Sequence, residues 1–257
     1  MAYTFRKDQL ERYARHLVLP GVGEEGQSLM LDSSVLVIGA GGLGSPALMY
    51  LAAAGIGRIG VMDHDIVSSS NLQRQIIHNT KTIGAYKSES AVSFVKNLNP
   101  ETNIKSIFTK LDISNAEELI SEHDIIADGS DNFDTRYLVA DTSYKKEKVL
   151  VSAAITKYEG QISTWKNKNK IYPCFRCLFP NKPKNSQNMN CSSNGVLGSL
   201  GGFLGSLQAT EIIKEILGIG ESLAGFINLY DILNNNFRKI KVNIDPNCSF
   251  CKNHKNK

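Results

Sequence analysis

The chain has 257 residues, 42% of them hydrophobic, and a formal net charge of +4. This is enough for one large or two small globular domains, and the mild charge without a long Lys/Arg run argues against a nucleic-acid-binding patch. The N-terminal segment up to Pro20 lacks the apolar core of a secretory signal, and no stretch is apolar enough to span a membrane, so we expect a cytoplasmic protein.

Helices and strands are predicted to alternate up to residue 154. In chain order, the predicted elements are a helix over 7–18, a short helix over 27–31, a strand over 35–38, a helix over 43–54, a strand over 58–62, a helix over 87–98, a strand over 103–108, a helix near 115–121, a strand over 124–128, a helix over 135–144 and a strand over 149–154. This alternation predicts a Rossmann-like, doubly wound α/β fold. Its mostly parallel sheet should bind ligands at the carboxyl ends of the strands.

The pattern changes after residue 154. The predicted elements there are antiparallel strands over 161–166 and 170–172, a polar connection over 168–190, a helix over 198–217, and a hairpin of strands over 225–230 and 237–242. The regularly spaced glycines of the 198–217 helix predict close packing in a core or a dimer interface rather than a membrane span.

A glycine loop joins the strand over 35–38 to the following helix. Its residues are Gly39, Gly41, Gly42, Leu43 and Gly44. The spacing fits G-x-G-x-x-G, in which the helix N-terminus binds a phosphate, and Asp63 ends the next strand where a carboxylate meets a ribose hydroxyl. A glycine turn without a ligand is the alternative, and the strand–loop–helix–strand–Asp context argues against it. The glycines alone do not distinguish a dinucleotide from ATP.

Three charged residues favour ATP. Arg74 and Lys87 follow the second strand, and Asp131 lies in the loop after the strand over 124–128. Two cations and a carboxylate around a glycine loop suit a triphosphate with Mg²⁺, with Asp131 as the metal ligand. Taken singly, each of the three is better explained as a solvated surface charge, and only the combination favours ATP.

Further motifs accompany the glycine loop. In chain order, the set is Arg12-Tyr13-Ala14-Arg15-His16, the glycine loop, Asp63-x-Asp65, Ser70-Asn71-Leu72-Gln73-Arg74-Gln75, Lys87, Ser130-Asp131-Asn132, Cys174-x-x-Cys177, Cys191 and Cys248-x-x-Cys251. This set of motifs resembles the MoeB/ThiF/HesA family, the bacterial relatives of ubiquitin-activating enzymes. The match covers nearly the whole chain. It implies a single adenylation domain over 1–257, with a nucleotide-binding half at about 30–155 and a carrier-binding and zinc half at about 156–257.

The resemblance implies an ATP-dependent adenylyltransferase. Such enzymes activate the C-terminal glycine carboxylate of a ubiquitin-like sulfur-carrier protein, MoaD-like or ThiS-like, and release pyrophosphate during molybdopterin or thiamine synthesis. By position, the nucleotide contacts would be the glycine loop, Asp63 on the ribose, Asn71, Arg74 and Lys87 on the phosphates, Asp131 through Mg²⁺, and Asp65, Gln75 and Asn132 beside them. Arg15 would reach the active site of the other subunit of a homodimer. A separate protein would donate the sulfur, since no rhodanese domain follows Cys251 in this sequence.

The five cysteines form two pairs and one remainder. Cys174, Cys177, Cys248 and Cys251 are two C-x-x-C pairs that favour one structural Zn²⁺ site, with a redox pair as the alternative. Cys191 is either an ordinary cysteine or a nucleophile that forms a covalent adduct with the activated carrier.

Two other functions compete with adenylylation. An NAD-dependent oxidoreductase would share the glycine loop but needs a hydride-transfer site, for which the sequence offers no constellation. A non-catalytic scaffold for a carrier protein would not need Arg15, Arg74, Lys87 and Asp131.

Overall fold

The computed structural model describes residues 4–167, 171–183 and 195–252, so Cys191 lies outside the described residues. The helices are α1 Lys7–Arg12, α2 Ala14–Leu17, α3 Gly23–Asp32, α4 Gly44–Ala54, α5 Lys87–Leu98, α6 Ala116–Ser121, α7 Phe133–Lys145, α8 Phe175–Leu178 and α9 Gly198–Leu217. The strands are β1 Ser34–Ile38, β2 Arg58–Met62, β3 Asn103–Ile107, β4 Ile125–Asp128, β5 Val149–Thr156, β6 Glu159–Trp165, β7 Phe226–Asp231 and β8 Asn236–Lys241.

The strands form one sheet in the order β3-β2-β1-β4-β5-β6-β7-β8. The strands from β3 to β5 pair in parallel, and β6, β7 and β8 extend the sheet by antiparallel pairing. The strand order reverses between β1 and β4, because the chain first builds outward from β1 to β3 and then returns to the other side of β1. Open α/β sheets bind ligands at such a switch point. The predicted doubly wound sheet with an antiparallel extension is confirmed.

Hydrophobic cores cover both faces of the sheet. Val35 and Val37 of β1 belong to the core formed with α4, α5 and α9, whereas Leu36 and Ile38 belong to the core formed with α6 and α7. Successive residues of a strand point to opposite faces, so an uninterrupted apolar strand buries side chains on both. Every residue of β1 is accordingly buried.

Helix α9 brings the second half of the chain against the glycine loop. A Cβ atom added at Gly201 would lie 2.7 Å from the carbonyl oxygen of Gly42, and one added at Gly205 would overlap the carbonyl oxygen of Leu43. The buried Gln208 donates from Nε2 to the carbonyl oxygens of Asp128 and Val151, at 3.0 and 2.9 Å. Gly201 and Gly205 therefore pack in the core of the subunit, which is one of the two predicted alternatives.

Two predicted elements are wrong in detail. The helix over 7–18 is interrupted at Tyr13, whose buried hydroxyl accepts a 3.0 Å hydrogen bond from Asn99 Nδ2. That long-range contact holds Tyr13 at φ −100° and ψ 12°, outside helical geometry. Of the predicted strand over 170–172, the described residues Ile171 and Tyr172 form no strand, and the chain continues from them into α8. Within the described residues, no helix is long and apolar enough to cross a bilayer.

Candidate functional site: a nucleotide cleft and a cysteine cluster

A cleft opens at the carboxyl ends of β1 and β4, at the switch point of the sheet. We call it the nucleotide cleft. It encloses about 890 Å³, including its solvent-open part. The predicted site residues that line it are Gly39, Gly41, Gly42, Leu43, Asp63, Asp65, Arg74, Gln75, Lys87, Asp131 and Asn132.

The glycine loop has a backbone path that only glycine allows at two positions. Gly39 has φ +93°, and a Cβ atom at Gly44 would overlap the carbonyl oxygen of Gly39. The half-buried Asp63 fixes the loop: Oδ2 accepts from the backbone N–H of Ala40 at 2.8 Å, and Oδ1 accepts from that of Asp65 at 2.9 Å. Hydrogen bonds to Asp63 thus fix the path of the loop.

His78 supports the loop from below. Its buried ring contacts the Ala40 carbonyl oxygen through Nε2 at 3.0 Å and Ser90 Oγ through Nδ1 at 2.9 Å. Burial lowers the pKa of His78, so the ring is neutral at pH 7. His78 therefore supports the loop and does not itself line the cleft.

Lys87 enters the cleft from the start of α5. Its Nζ donates to Asp65 Oδ2 at 2.8 Å, and the Lys87 side chain is 7% exposed against 56% for Asp65. Partial burial opposes ionisation of Asp65, but the hydrogen bond and charge of Lys87 outweigh it and hold the pKa of Asp65 below its usual value. The Lys87 ammonium group is thereby held in place beside the glycine loop.

Arg74 covers the glycine loop from the other side. The side-chain carbons of Arg74 lie within 3.8 Å of the position that a Cβ atom of Gly42 would take, and Nη1 donates to the Ser70 carbonyl oxygen at 3.0 Å. Gln75 is buried beside it, and its Oε1 has no hydrogen-bond partner among the described residues. This edge of the cleft therefore offers one cation and one free polar atom.

The loop after β4 supplies the acidic group. Asp131 is exposed in the cleft and forms no hydrogen bond or ion pair with any described residue. Asn132 caps α7, its Oδ1 accepting from Thr135 N at 2.9 Å. An unpaired carboxylate that projects into a cleft lined by Arg74 and Lys87 is suited to bind a divalent cation.

Three residues that the sequence analysis predicted for the active site do not line the cleft. Gly44 is buried beneath the loop, and Asn71 accepts from the backbone N–H of Ser68 at 3.1 Å outside the cleft lining. Arg15 is exposed on α2 and does not line the cleft of its own chain.

Two cations of the cleft were missed by the sequence analysis, Lys110 and Arg136. Lys110 comes shortly after β3, and Arg136 lies one turn into α7. Because strand ends and the helix starts that follow them share one edge of a doubly wound sheet, the predicted β3 and α7 could have pointed to both.

A second cavity lies beside the cleft, over the antiparallel strands, and encloses about 1480 Å³. Its lining includes Gly160, Gln161 and Tyr230 of β6 and β7, and the exposed Arg238 of β8. Asp131, Arg136 and Ile155 line both the second cavity and the nucleotide cleft. The two spaces therefore meet at the end of β5 and the start of α7.

The two C-x-x-C pairs come together in a separate cysteine cluster. The Sγ–Sγ distances are 3.7 Å for Cys174–Cys177, Cys174–Cys248 and Cys177–Cys251, and all four sulfur atoms lie within 4.8 Å of one another. The four thiols are free rather than disulfide-bonded. A tetrahedron of sulfur atoms about 2.3 Å from a central Zn²⁺ has edges of about 3.8 Å. The cluster matches that geometry.

The protonation of these thiols depends on their surroundings. Burial raises the pKa of Cys174, and it raises that of Cys251 to about 12. Burial acts in the same direction on Cys248, but the backbone N–H groups of Cys251 and Phe250 donate to its sulfur and lower its pKa. Three of the four cysteines are buried and Cys177 is partly exposed, and four thiolates this close together would need a cation to compensate their charge.

Comparisons with known proteins agree with this geometry. The model of the ThiF family matches residues 13–250. The chain is 43% identical over 251 residues to the SAMP-activating enzyme E1 of Haloferax volcanii, covering 98% of this chain and 92% of that protein. It is also 43% identical over 248 residues to the sulfur carrier protein adenylyltransferase of Thermus thermophilus, covering 95% and 92%.

A solved structure shares the fold at low identity. The structure of Escherichia coli MccB with MccA-N7isoASN superposes with a TM-score of 0.83 over 97% of this chain and 76% of that chain, at 19% identity. At this identity the likeness concerns the fold alone, and it extends over both the parallel and the antiparallel strands.

Proposed function

This chain belongs to the ThiF family, and from that premise we propose that it adenylylates the C-terminal glycine carboxylate of a ubiquitin-like sulfur-carrier protein. The observation that carries the proposal is the meeting of Arg74, Lys87 and the unpaired Asp131 around the glycine loop of one cleft. These are the groups that an ATP–Mg²⁺ complex requires.

The proposed reaction needs positioning and charge neutralisation rather than a general base. A carboxylate oxygen of the carrier attacks the α-phosphorus of ATP, a P–O bond forms, and the bond to the β-phosphate breaks with its electron pair leaving on pyrophosphate. The attacking carboxylate is already deprotonated at pH 7. The barrier comes from bringing two anions together, which Arg74 and Lys87 lower by binding phosphate oxygens.

Two metal ions complete the proposal. Asp131 would hold Mg²⁺, which screens the phosphate charge. The cysteine cluster would hold one structural Zn²⁺, because four protein ligands leave no open position for catalysis. The cluster joins α8 to the C-terminal segment near Cys248 and Cys251. The division into a nucleotide half at about 30–155 and a carrier and zinc half at about 156–257 is part of the same proposal.

We expect the enzyme to work in the cytoplasm, where free thiols persist, and to receive sulfur from a separate donor protein. Molybdopterin and thiamine synthesis remain the two alternative pathways. Exchange assays with a MoaD-like and a ThiS-like carrier in parallel distinguish them. Replacing Cys191 with Ser tests its role as a nucleophile, since adenylylation should persist and only a covalent carrier adduct should disappear.

Carrier-dependent exchange between ATP and labelled pyrophosphate tests the function directly. Asp131→Ala should reduce exchange by about 100-fold or more, because the phosphates lose their metal ligand, while the thermal unfolding temperature stays near that of the wild type. Asp134→Ala is the matched control. Asp134 lies on the same segment and pairs with Lys182 outside the cleft, so exchange should be unaffected.

Absence of exchange by the wild-type protein with either carrier would refute the proposed function. Near-normal exchange by Asp131→Ala would remove only Asp131 from the mechanism.

We further propose a homodimer in which Arg15 completes the cleft of the other subunit. Residues on both sides of Arg15 are bound to their own chain. Tyr13, just before α2, accepts a hydrogen bond from Asn99, and His16 Nδ1 lies 2.9 Å from Gln27 Oε1. The exposed Arg15 between them is left to project outward.

Subunit mixing tests this arrangement. Arg15→Ala and Arg74→Ala should each be inactive, and a mixture of the two should regain part of the activity, because a heterodimer rebuilds one complete site. If mass spectrometry shows heterodimers and no activity returns, Arg15 does not act across the interface.

A further inference from the structure

Arg136 lies where the two cavities meet. It is half-buried in the first turn of α7. Of the described residues, Asp131, Arg136 and Ile155 line both cavities, and Arg136 is the only cation among them. A group that enters from the second cavity and reacts with a group in the nucleotide cleft must pass this point. The charge of Arg136 therefore acts on the place where two reactants would meet.

The guanidinium of Arg136 is held by neutral groups only. Nε and Nη2 both donate to the carbonyl oxygen of Ser130, at 3.1 and 2.8 Å, and the guanidinium carbon lies 5.8 Å from the centroid of the Phe133 ring. No ion pair of Arg136 occurs among the described residues. Arg176, farther along the chain, shows the contrast, because its Nε and Nη2 bind both carboxylate oxygens of Asp141 at 3.0 and 2.7 Å.

A half-buried guanidinium without an acidic partner attracts an anion. Carboxylates are the natural partner, since they accept two parallel hydrogen bonds from one guanidinium. The contacts with Ser130 leave Nη1 without a hydrogen bond to any described residue. The position of Arg136 is fixed while part of its hydrogen-bonding capacity remains available.

We propose that Arg136 binds the C-terminal carboxylate of the incoming carrier protein at this junction. The inference rests on the proposed function and adds a catalytic residue to it. One carboxylate oxygen attacks the α-phosphorus while Arg136 binds the other oxygen. The O–P bond forms as the α–β P–O bond breaks, pyrophosphate leaves with the electron pair, and no proton is transferred. Arg136 thus lowers the repulsion between the carboxylate and the phosphates.

A purely structural role for Arg136 makes a different prediction. If Arg136 only clamps the Ser130 carbonyl, its removal displaces the neighbouring Asp131, and ATP–Mg²⁺ binding is the property that falls. If Arg136 binds the carrier, the property that falls is the discrimination between a carrier that ends in a carboxylate and one that does not.

The experiment compares two forms of the carrier that supports pyrophosphate exchange. One form ends in the native glycine carboxylate and the other in a glycine carboxamide. Their dissociation constants are measured by calorimetry without nucleotide at fixed ionic strength. Wild-type enzyme should prefer the carboxylate by about 10- to 100-fold, the range for a hydrogen bond to a charged group. Arg136→Ala should bind both forms about equally, and Arg136→Lys should keep part of the preference.

Arg238→Ala is the matched control. Arg238 lines the second cavity but not the cleft, so its removal deletes the same charge without touching the junction. Carrier affinity can fall in this variant, but the ratio between carboxylate and carboxamide should stay near the wild-type ratio. Retained preference in Arg136→Ala, or loss of ATP affinity alone, overturns the role of Arg136. A wild-type enzyme without exchange overturns the proposed function, and the carboxylate role with it.

Discussion

The nucleotide cleft and the cysteine cluster differ in how their charges are balanced. In the cleft, protein groups balance part of the charge: Asp63 accepts from the loop backbone and Asp65 pairs with Lys87, while Asp131 has no partner among the described residues. In the cluster, four sulfur atoms contact mainly each other, and their closest aromatic neighbours, Tyr144 and Phe250, add no positive charge. Hydrogen bonds and ion pairs of the protein therefore organise the cleft, whereas the charge of the cluster would be balanced by the Zn²⁺ proposed for it.

This difference predicts which region controls stability. Removal of the proposed Zn²⁺ should unfold the contact between α8 and the C-terminal segment around Cys248 and Cys251. Without the metal bonds, the four cysteines would be left as poorly paired thiols or as thiolates that repel one another. Loss of any one cleft contact should leave the others in place. Three predictions, in decreasing order of effect, test this view.

Cys248→Ser should have the largest effect on the free energy of unfolding. Three remaining thiols bind Zn²⁺ less tightly, and loss of a structural metal belongs to the class of changes that cost about 4–5 kcal/mol. Metal analysis should find one zinc per wild-type chain and less in the variant. Nucleotide affinity should change less than stability does.

Cys191→Ser is the control for this prediction, because it makes the same chemical change at a cysteine that belongs to neither C-x-x-C pair, and it should leave the zinc content at one. A wild-type protein without metal, or with disulfides among the four cysteines, would contradict the assignment and with it the contrast between the two regions.

Substitution of two adjacent glycines on α9 should have the next largest effects on the free energy of unfolding. Gly201→Ala should destabilise the fold by about 1–3 kcal/mol and weaken ATP binding, since its Cβ would press on the Gly42 carbonyl oxygen at 2.7 Å. Gly202→Ala, one position along, meets nothing within 4 Å and should stabilise the helix by about 0.5–1 kcal/mol. Chemical denaturation and nucleotide titration measure both properties. Equal behaviour of the two variants would mean that the contact of α9 with the loop does not matter.

Loss of the ion pair between Asp65 and Lys87 should have the smallest effect on the free energy of unfolding. The pKa of Asp65 is lower in the folded protein than the value of about 3.9 in an unfolded chain. Its contribution is therefore fully present above pH 3.9 and is lost as the pH falls through the folded pKa. Because Asp65 is 56% exposed, solvent screening keeps this contribution under about 1 kcal/mol. The stability difference between wild type and Asp65→Asn should shrink to zero in acid, and a difference independent of pH would show that the pair contributes nothing.

Much of the nucleotide half was predictable because its signals are local. The helix over Lys87–Leu98 and the strand over Arg58–Met62 begin and end where the sequence placed them. Each depends on an apolar period and on stop signals such as Asn99-Pro100 within a few residues. The glycine loop was predictable for the same reason, since Gly39 and Gly44 are needed by the backbone of a single turn.

The tertiary structure decided what depends on distant contacts. Local periodicity continued the first helix through Tyr13, but a hydrogen bond from Asn99 breaks it there. The spacing of the sequence defines two C-x-x-C pairs, Cys174 with Cys177 and Cys248 with Cys251. The fold brings all four of their sulfur atoms within 4.8 Å of one another. Arg136 lies in a helix that the sequence predicted, yet its place between two cavities follows from the order of β1, β4 and β5 in the sheet. Strand order is set by which faces can be buried together, and that property belongs to the assembled sheet rather than to any one segment.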